Sequence, residues 1–212
     1  MDIAFVLYDD FTALDLVSAY EVLASWPGAT ARFVATELRP HRADNGLIVS
    51  PTDTPATLPR PEMIVIPGSS RPFGPLQNAA LLAWIRDAAP TATWLVSVCT
   101  GSSLYAAAGV LGSHPVTTHW AFREALAGMG ATVRTERVVI DPPFASAAGV
   151  SAGTDMALTL TARVHGEATA RVIQLAIEYD PQPPFDAGSP EKAGPAVVGE
   201  VMQLFAAALS PP

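Results

Sequence analysis

The chain has a single cysteine, and its setting is that of a nucleophile. Cys99 ends the apolar run 94–98 and opens a helix of small residues in the stretch SVCTGSS (97–103). Ser97-x-Cys99-x-Gly101 parallels the G-x-S-x-G elbow, in which a sharp strand-to-helix turn lifts the nucleophile out of the backbone. Small neighbours are needed at such a turn, and Ser97, Gly101 and Ser102 supply them. The sulfur would then sit near a helix N-terminus, where free amides and the helix dipole favour the thiolate. The competing expectation is a structural cysteine, because free Cys is among the most buried residue types.

Asp15 is the second candidate. Thr12-x-x-Asp15, in FTALDLVSAYEVL (11–23), fits a variant of the capping box, with Asp15 reaching back to the Thr12 amide. The alternative is a carboxyl that faces the thiol across the same crevice and moves protons. Pro67-Gly68-Ser69-Ser70 closes an apolar run and exposes backbone amides. These suit either an ordinary turn or a pocket for a developing oxyanion. In Thr117-Thr118-His119-Trp120, Thr118 fits a helix cap and His119 a general base, but no spacing orients His119 toward Cys99. Thr100, rather than a histidine, follows the cysteine, which counts against a Cys–His peptidase. With one Cys, and His41, His114, His119 and His165 far from HExxH spacing, no metal centre is expected.

These residues need elements to position them, and the pattern supplies alternating strands and helices. Residues 3–8 are a continuous apolar run of strand length, and 31–36, 63–66 and 94–98 are further strand segments. Leu16, Tyr20 and Leu23 recur at helical spacing before Pro27-Gly28, and Leu81, Trp84, Ile85 and Ala88 mark another helix. A small hairpin and loop is expected within 39–61, around residues 47–49. The small-residue helix after Cys99 runs to Ala108 and stops at Gly109. A short extended piece is expected at 114–118 and a helix at 120–127. Strands are expected at 133–140 and 145–150, and helices at 153–164, 167–179 and 196–209. Residues 183–195 form an irregular connection. The alternation gives a single α/β domain: a mainly parallel sheet with helices on both faces and ligands at the carboxyl ends of its strands. The loops 9–15, 67–71, 98–103 and 149–155 all fall there.

Composition narrows the partners. The chain has 212 residues, half of them hydrophobic, enough for one substantial core. No apolar stretch reaches membrane-spanning length. The N-terminus MDIAFVLYDD reads as a first strand rather than a signal peptide, so the cytoplasm is the expected compartment and no membrane partner is expected. A net charge of −8 with 12 scattered Lys and Arg argues against nucleic acid.

On FTALDL, VIPG, SVCTGS with AAGVL after it, TTHW, ERVV, SAGTDMALTL and QLAIEYDPQPPFDAGSP, the chain resembles the ThiJ/PfpI superfamily, the class I glutamine amidotransferase-like fold. Within it the likeness is greatest to the isonitrile (isocyanide) hydratase group. Some AraC-type regulators share the Cys-Thr-Gly and TTHW segments, but a C-terminal helix-turn-helix pair is not expected here. The resemblance implies a flavodoxin-like three-layer sandwich with a nucleophile elbow. It implies Cys99 as nucleophile and Asp15 as acid/base, with Thr100 positioning water or the intermediate through its amide and hydroxyl. Gly68, Ser69 and Gly149 are implied as substrate- or oxyanion-binding positions, with His119 behind them. No cofactor is implied, a homodimer is, and a small uncharged substrate agrees with the lack of clustered Lys or Arg. Two features depart from the family pattern. Ser69 stands where a second glycine is common, so the pocket is expected to be narrowed or an amide redirected, and the turn 146–149 carries extra methyl groups. The expected activity is addition of water to an isocyanide through a Cys99 thioimidate. Glyoxalase-type or amidase chemistry, and a redox or ligand sensor, stand as alternatives.

Overall fold

The structure is a computed structural model and describes residues 1–209. Ten strands form: β1 (Asp2–Val6), β2 (Thr30–Val34), β3 (His41–Arg42), β4 (Ile48–Val49), β5 (Met63–Ile66), β6 (Trp94–Val98), β7 (Pro115–Val116), β8 (Thr132–Val133), β9 (Val138–Asp141) and β10 (Phe144–Ala147). Seven α-helices accompany them: α1 (Ala13–Leu23), α2 (Ala79–Ala88), α3 (Ser102–Ala107), α4 (Arg123–Gly128), α5 (Ala152–His165), α6 (Glu167–Ala176) and α7 (Pro190–Leu209).

Six strands make the central sheet in the order β2-β1-β5-β6-β10-β9, and every neighbouring pair is parallel except the β9–β10 edge hairpin. The middle strands β5 and β6 are buried at every residue, as continuous apolar runs covered on both faces must be. Helices α1, α5 and α6 pack together as one outer layer, while α2, α3 and α4 pack in sequence as the other. The result is the expected three-layer α/β sandwich. The chain leaves β1 toward β2 on one side and returns to β5 on the other. That reversal opens a crevice at the carboxyl ends of β1, β5 and β6.

Several boundaries differ from the sequence reading. The run 133–140 is two strands: β8 pairs with β7 in a small parallel sheet, and only β9 joins the main one. The expected helix at 120–127 begins with a 3₁₀ turn, Trp120–Phe122, before α4. The last stretch is two helical segments joined at Gly194, where φ is 78° ahead of Pro195; the second is the expected helix at 196–209 and the first is an additional turn from Pro190. Among the described residues no helix is long and apolar enough to cross a membrane.

Candidate active site

The turn after β6 is a true elbow. Cys99 has φ 58°, a left-handed conformation that costs energy in a residue with a Cβ and persists only where the surroundings impose it. Those surroundings are two glycines. A Cβ on Gly101 would lie 2.2 Å from the Ile66 carbonyl oxygen, and one on Gly68 would lie 2.6 Å from the Thr100 amide nitrogen and 2.8 Å from Cys99 Cβ. Only hydrogen fits at either place, so the β5 and β6 loops interlock and drive the cysteine into its turn. Thr118 completes the clamp by donating its hydroxyl to the Cys99 carbonyl at 2.9 Å. It does not cap the following turn. That cap is His119, whose Nδ1 accepts the Ala121 amide at 3.3 Å.

Asp15 is no capping residue either. Thr12 turns its hydroxyl to Asp44 Oδ2 at 2.7 Å, and the Asp15 carboxyl turns inward, where Oδ2 accepts the Gly68 amide at 3.0 Å. Asp15 is wholly buried, its Oδ1 has no well-formed hydrogen bond, and the Cys99 thiol lies within reach of the carboxyl. Burial pushes the Asp15 pKa up to about 7, against the pull of the Gly68 amide and of Cys99, while the charge of Asp44 pushes it further up.

The thiol behaves differently from the sequence expectation. Cys99 is 6% exposed, and burial together with the negative charge of Asp15 raises its pKa well above the ordinary thiol value. The Thr100 and Val150 amides at the sulfur oppose that rise without overcoming it. The two groups therefore titrate as a pair: one proton leaves near pH 7, and the second is held to far higher pH. Over that interval Asp15 is a carboxylate and the remaining proton stays on sulfur, within reach of the carboxyl.

One peptide unit links this pair to a third group. Tyr8, buried at the end of β1, donates its hydroxyl to the Pro67 carbonyl at 2.5 Å, and the N–H of that same Pro67–Gly68 peptide reaches Asp15. Each bond polarises the peptide toward the other.

The remaining expected residues have mixed placements. The Thr100 amide stands at the sulfur, but its hydroxyl is committed: it donates to the Ser69 carbonyl at 3.1 Å and accepts the Ser69 amide at 2.9 Å. With the Gly68 amide given to Asp15 and the Ser69 amide to Thr100, neither is free for an oxyanion, a correction to that expectation. Ser69 does not close the pocket with its side chain. Its hydroxyl donates to the Asp10 carbonyl at 2.7 Å and accepts the Arg71 amide, bracing the loop after β1. Gly149 lies against His119, where an added Cβ would be 3.0 Å from Cδ2. It lines a neighbouring polar cavity rather than the one at Cys99. His119 walls both cavities. Burial and Arg123 lower its pKa to about 4, so it is neutral at pH 7 and only a weak base there.

The sulfur faces a cavity of about 160 Å³ whose wall includes Ser70, Pro72, Phe122, Val150 and Phe205. Phe205 comes from α7 and meets the His119 ring edge-on at 5.6 Å. Sequence reasoning missed the Val150 amide, Asp44, Tyr8 and Phe205. The apolar face of α7 was a signal for packing only, and nothing local marks a backbone amide as a sulfur ligand. Among the described residues no three His, Cys, Asp or Glu side chains are grouped to hold a metal ion.

Comparison with known proteins gives the relatives of this chain. The model of the DJ-1/PfpI family matches residues 1–163. The isonitrile hydratase of Pseudomonas putida is 40% identical over 210 residues, 99% of this chain and 92% of that protein. The HTH-type transcriptional regulator CdhR of Pseudomonas aeruginosa is 29% identical over 194 residues, 85% of this chain but 54% of the regulator. Among solved structures, a ThiJ/PfpI family protein from Pseudomonas syringae superposes with a TM-score of 0.93 at 36% identity, covering 97% of this chain and 86% of its own.

Proposed function

The chain belongs to the DJ-1/PfpI family, and within that family we propose that it is an isonitrile hydratase-like lyase, adding water to R–N≡C to give R–NH–CHO. The observation that carries the reading is the wholly buried Asp15 carboxyl set within reach of the Cys99 thiol, whose sulfur faces a small open cavity.

The steps follow from the proton of the Cys99 thiol, which passes to Asp15 at the start. With it on Asp15, the Cys99 thiolate attacks the terminal isocyanide carbon, and the Asp15 proton goes to the same carbon, giving R–N=CH–S–Cys. Water then bonds to this carbon while the Asp15 carboxylate takes one of its protons and passes it to nitrogen, giving R–NH–CH(OH)–S–Cys. The C–S bond breaks, the hydroxyl proton returns to Asp15, and the formamide leaves a thiolate and a carboxylic acid as at the start. The Thr100 and Val150 amides support the sulfur whenever it carries charge. Splitting the hydration through sulfur replaces one difficult addition by two easier ones. The reacting group is small and uncharged, in keeping with the small cavity. A homodimer belongs to the same reading, supported by Leu14 and Val17, which α1 leaves 49% and 39% exposed in the single chain.

The test is incubation with p-nitrophenyl isocyanide, following formamide by absorbance and the protein by intact mass. Turnover, with a covalent adduct of substrate mass that Cys99→Ala lacks, is the expected result. No turnover by the native chain, or equal turnover by Cys99→Ala, sinks the reading.

A further inference from the structure

Among the described residues, Asp44 is the one charged side chain that lines the Cys99 cavity. It sits in the turn between β3 and β4, and that turn is tied across the start of α1. The Asp44 amide donates to the Phe11 carbonyl at 2.9 Å, the Asp10 amide donates to the Arg42 carbonyl at 2.8 Å, and the Ala43 amide closes the turn on Leu47 at 2.7 Å. The Thr12 hydroxyl then fixes Oδ2. The carboxylate is thereby held at the mouth, exposed to incoming molecules.

Nothing nearby neutralises it. Arg39 is spent on Asp9 and Glu37, Arg71 on Asp10, and Arg42 reaches the Gly46 carbonyl. No ion pair involving Asp44 is found among the described residues. Its field is felt at the floor, where it disfavours further negative charge on Asp15 and Tyr8. His119, the other ionisable wall residue, brings no positive charge at neutral pH.

We propose that Asp44 makes the mouth of the Cys99 cavity selective for molecules whose substituent carries an ammonium group and against those that carry a carboxylate or sulfonate. A charged wall with low-dielectric neighbours concentrates ions of opposite sign and repels the others. The substrate class that follows is an isocyanide with an ammonium-bearing substituent, which departs from the wholly uncharged molecule expected from composition. The isocyanide part rests on the proposed hydratase activity, whereas the charge selectivity does not.

The sole cysteine makes this measurable without turnover, since every modified thiol is Cys99. The rates at which 2-aminoethyl, 2-sulfonatoethyl and neutral 2-hydroxyethyl methanethiosulfonate modify the protein are read by intact mass. Each is normalised to its rate with a free thiol. The aminoethyl reagent is expected to outpace the sulfonate by about tenfold or more. Asp44→Asn is expected to cut that ratio severalfold, with the hydroxyethyl rate reading any change in the thiol itself. Asp44→Lys is expected to invert it. A native ratio near one, or a ratio unmoved by Asp44→Asn, overturns the proposal. In parallel, kcat/KM for benzyl isocyanide, isocyanoacetate and 2-(dimethylammonio)ethyl isocyanide should follow the same order. If the thiol ranking holds but no isocyanide is hydrated, the hydratase reading fails and the role of Asp44 stands.

Discussion

Two carboxyl groups flank the Cys99 cavity, one buried behind its floor and one at its mouth, and they are held on opposite terms. Asp15, behind the floor, is cut off from water, bound by a backbone amide and within reach of a thiol, and its proton affinity is far from that of a free aspartate. Asp44, at the mouth, stands in solvent on a hairpin turn, held by a threonine hydroxyl. The floor is assembled from main-chain atoms and from glycines with no room for a methyl group. The mouth is assembled from side chains on a loop and on a terminal helix. Groups that must react are placed where nothing can adjust; groups that meet the incoming molecule are placed where exchange costs the fold little.

If that division holds, substitutions should rank by depth. Gly101→Ala should have the largest effect, since its methyl group would meet the Ile66 carbonyl oxygen at 2.2 Å, with backbone on both sides of the clash. A loss of about 3 kcal/mol or more is expected, read as a lower urea midpoint. A midpoint equal to the native one would show that the floor is softer than the interlocked loops imply.

Asp15→Asn comes next. Removal of the proton carrier should lower kcat by about 10²–10⁴-fold. The native kcat/KM should rise through pH 7 as the pair loses its first proton, and this limb should be missing in the variant. Stability gives an independent check. The folded pKa of about 7 lies above the ordinary 3.8, so the folded state binds the extra proton between them. The stability due to that proton is complete below pH 3.8 and lost as pH rises through 7. The advantage of Asp15→Asn over the native chain should therefore grow across that window and level off above it, reaching at most about 4 kcal/mol. A constant difference from pH 4 to 8 would contradict the buried, proton-retaining floor.

Phe205→Ala, at the mouth, should raise KM for an aromatic isocyanide about fivefold while kcat holds, since it removes apolar wall and no reacting group. A fall in kcat with KM unchanged would place α7 in the chemistry and blur the distinction.

Tyr8→Phe should have the smallest effect. Without the hydroxyl on the Pro67 carbonyl, the Gly68 N–H becomes a weaker donor, and the Asp15 carboxylate loses support. Its pKa should rise, moving the acid limb of kcat/KM upward by about half a pH unit at constant KM. A scaled-down rate at an unmoved limb would show a structural role only.

How much of this was legible in the sequence follows the same line. The strands were readable because each middle strand is a continuous apolar run, and the elbow because small residues flank Cys99. The 133–140 run misled because the valines at its two ends suggested one strand, whereas the polar residues 134–137 separate a piece of β8 from β9 and the two pair in different sheets. Asp15 was legible as a candidate but not as a buried acid. Thr12-x-x-Asp15 also fits a cap, and only the Gly68 amide and the Asp44 carboxylate decide between the two. The oxyanion role expected for Gly68 and Ser69 failed because sequence shows that an amide exists and not what it already holds. Asp44 lay in a stretch read as hairpin and loop, which is how a mouth looks before its long-range contacts are known.

The peptide between Pro67 and Gly68 has one more consequence. Tyr8 does not line the cavity, and its hydroxyl speaks to Asp15 through a single amide group. Acidity and shape are thus set by overlapping dials: the segment after β1 retunes the proton alone, whereas the β3–β4 turn retunes the guest and, through the Asp44 charge, the proton with it. An engineer who varies only the apolar walls of the cavity would change what enters and leave both settings of the proton in place.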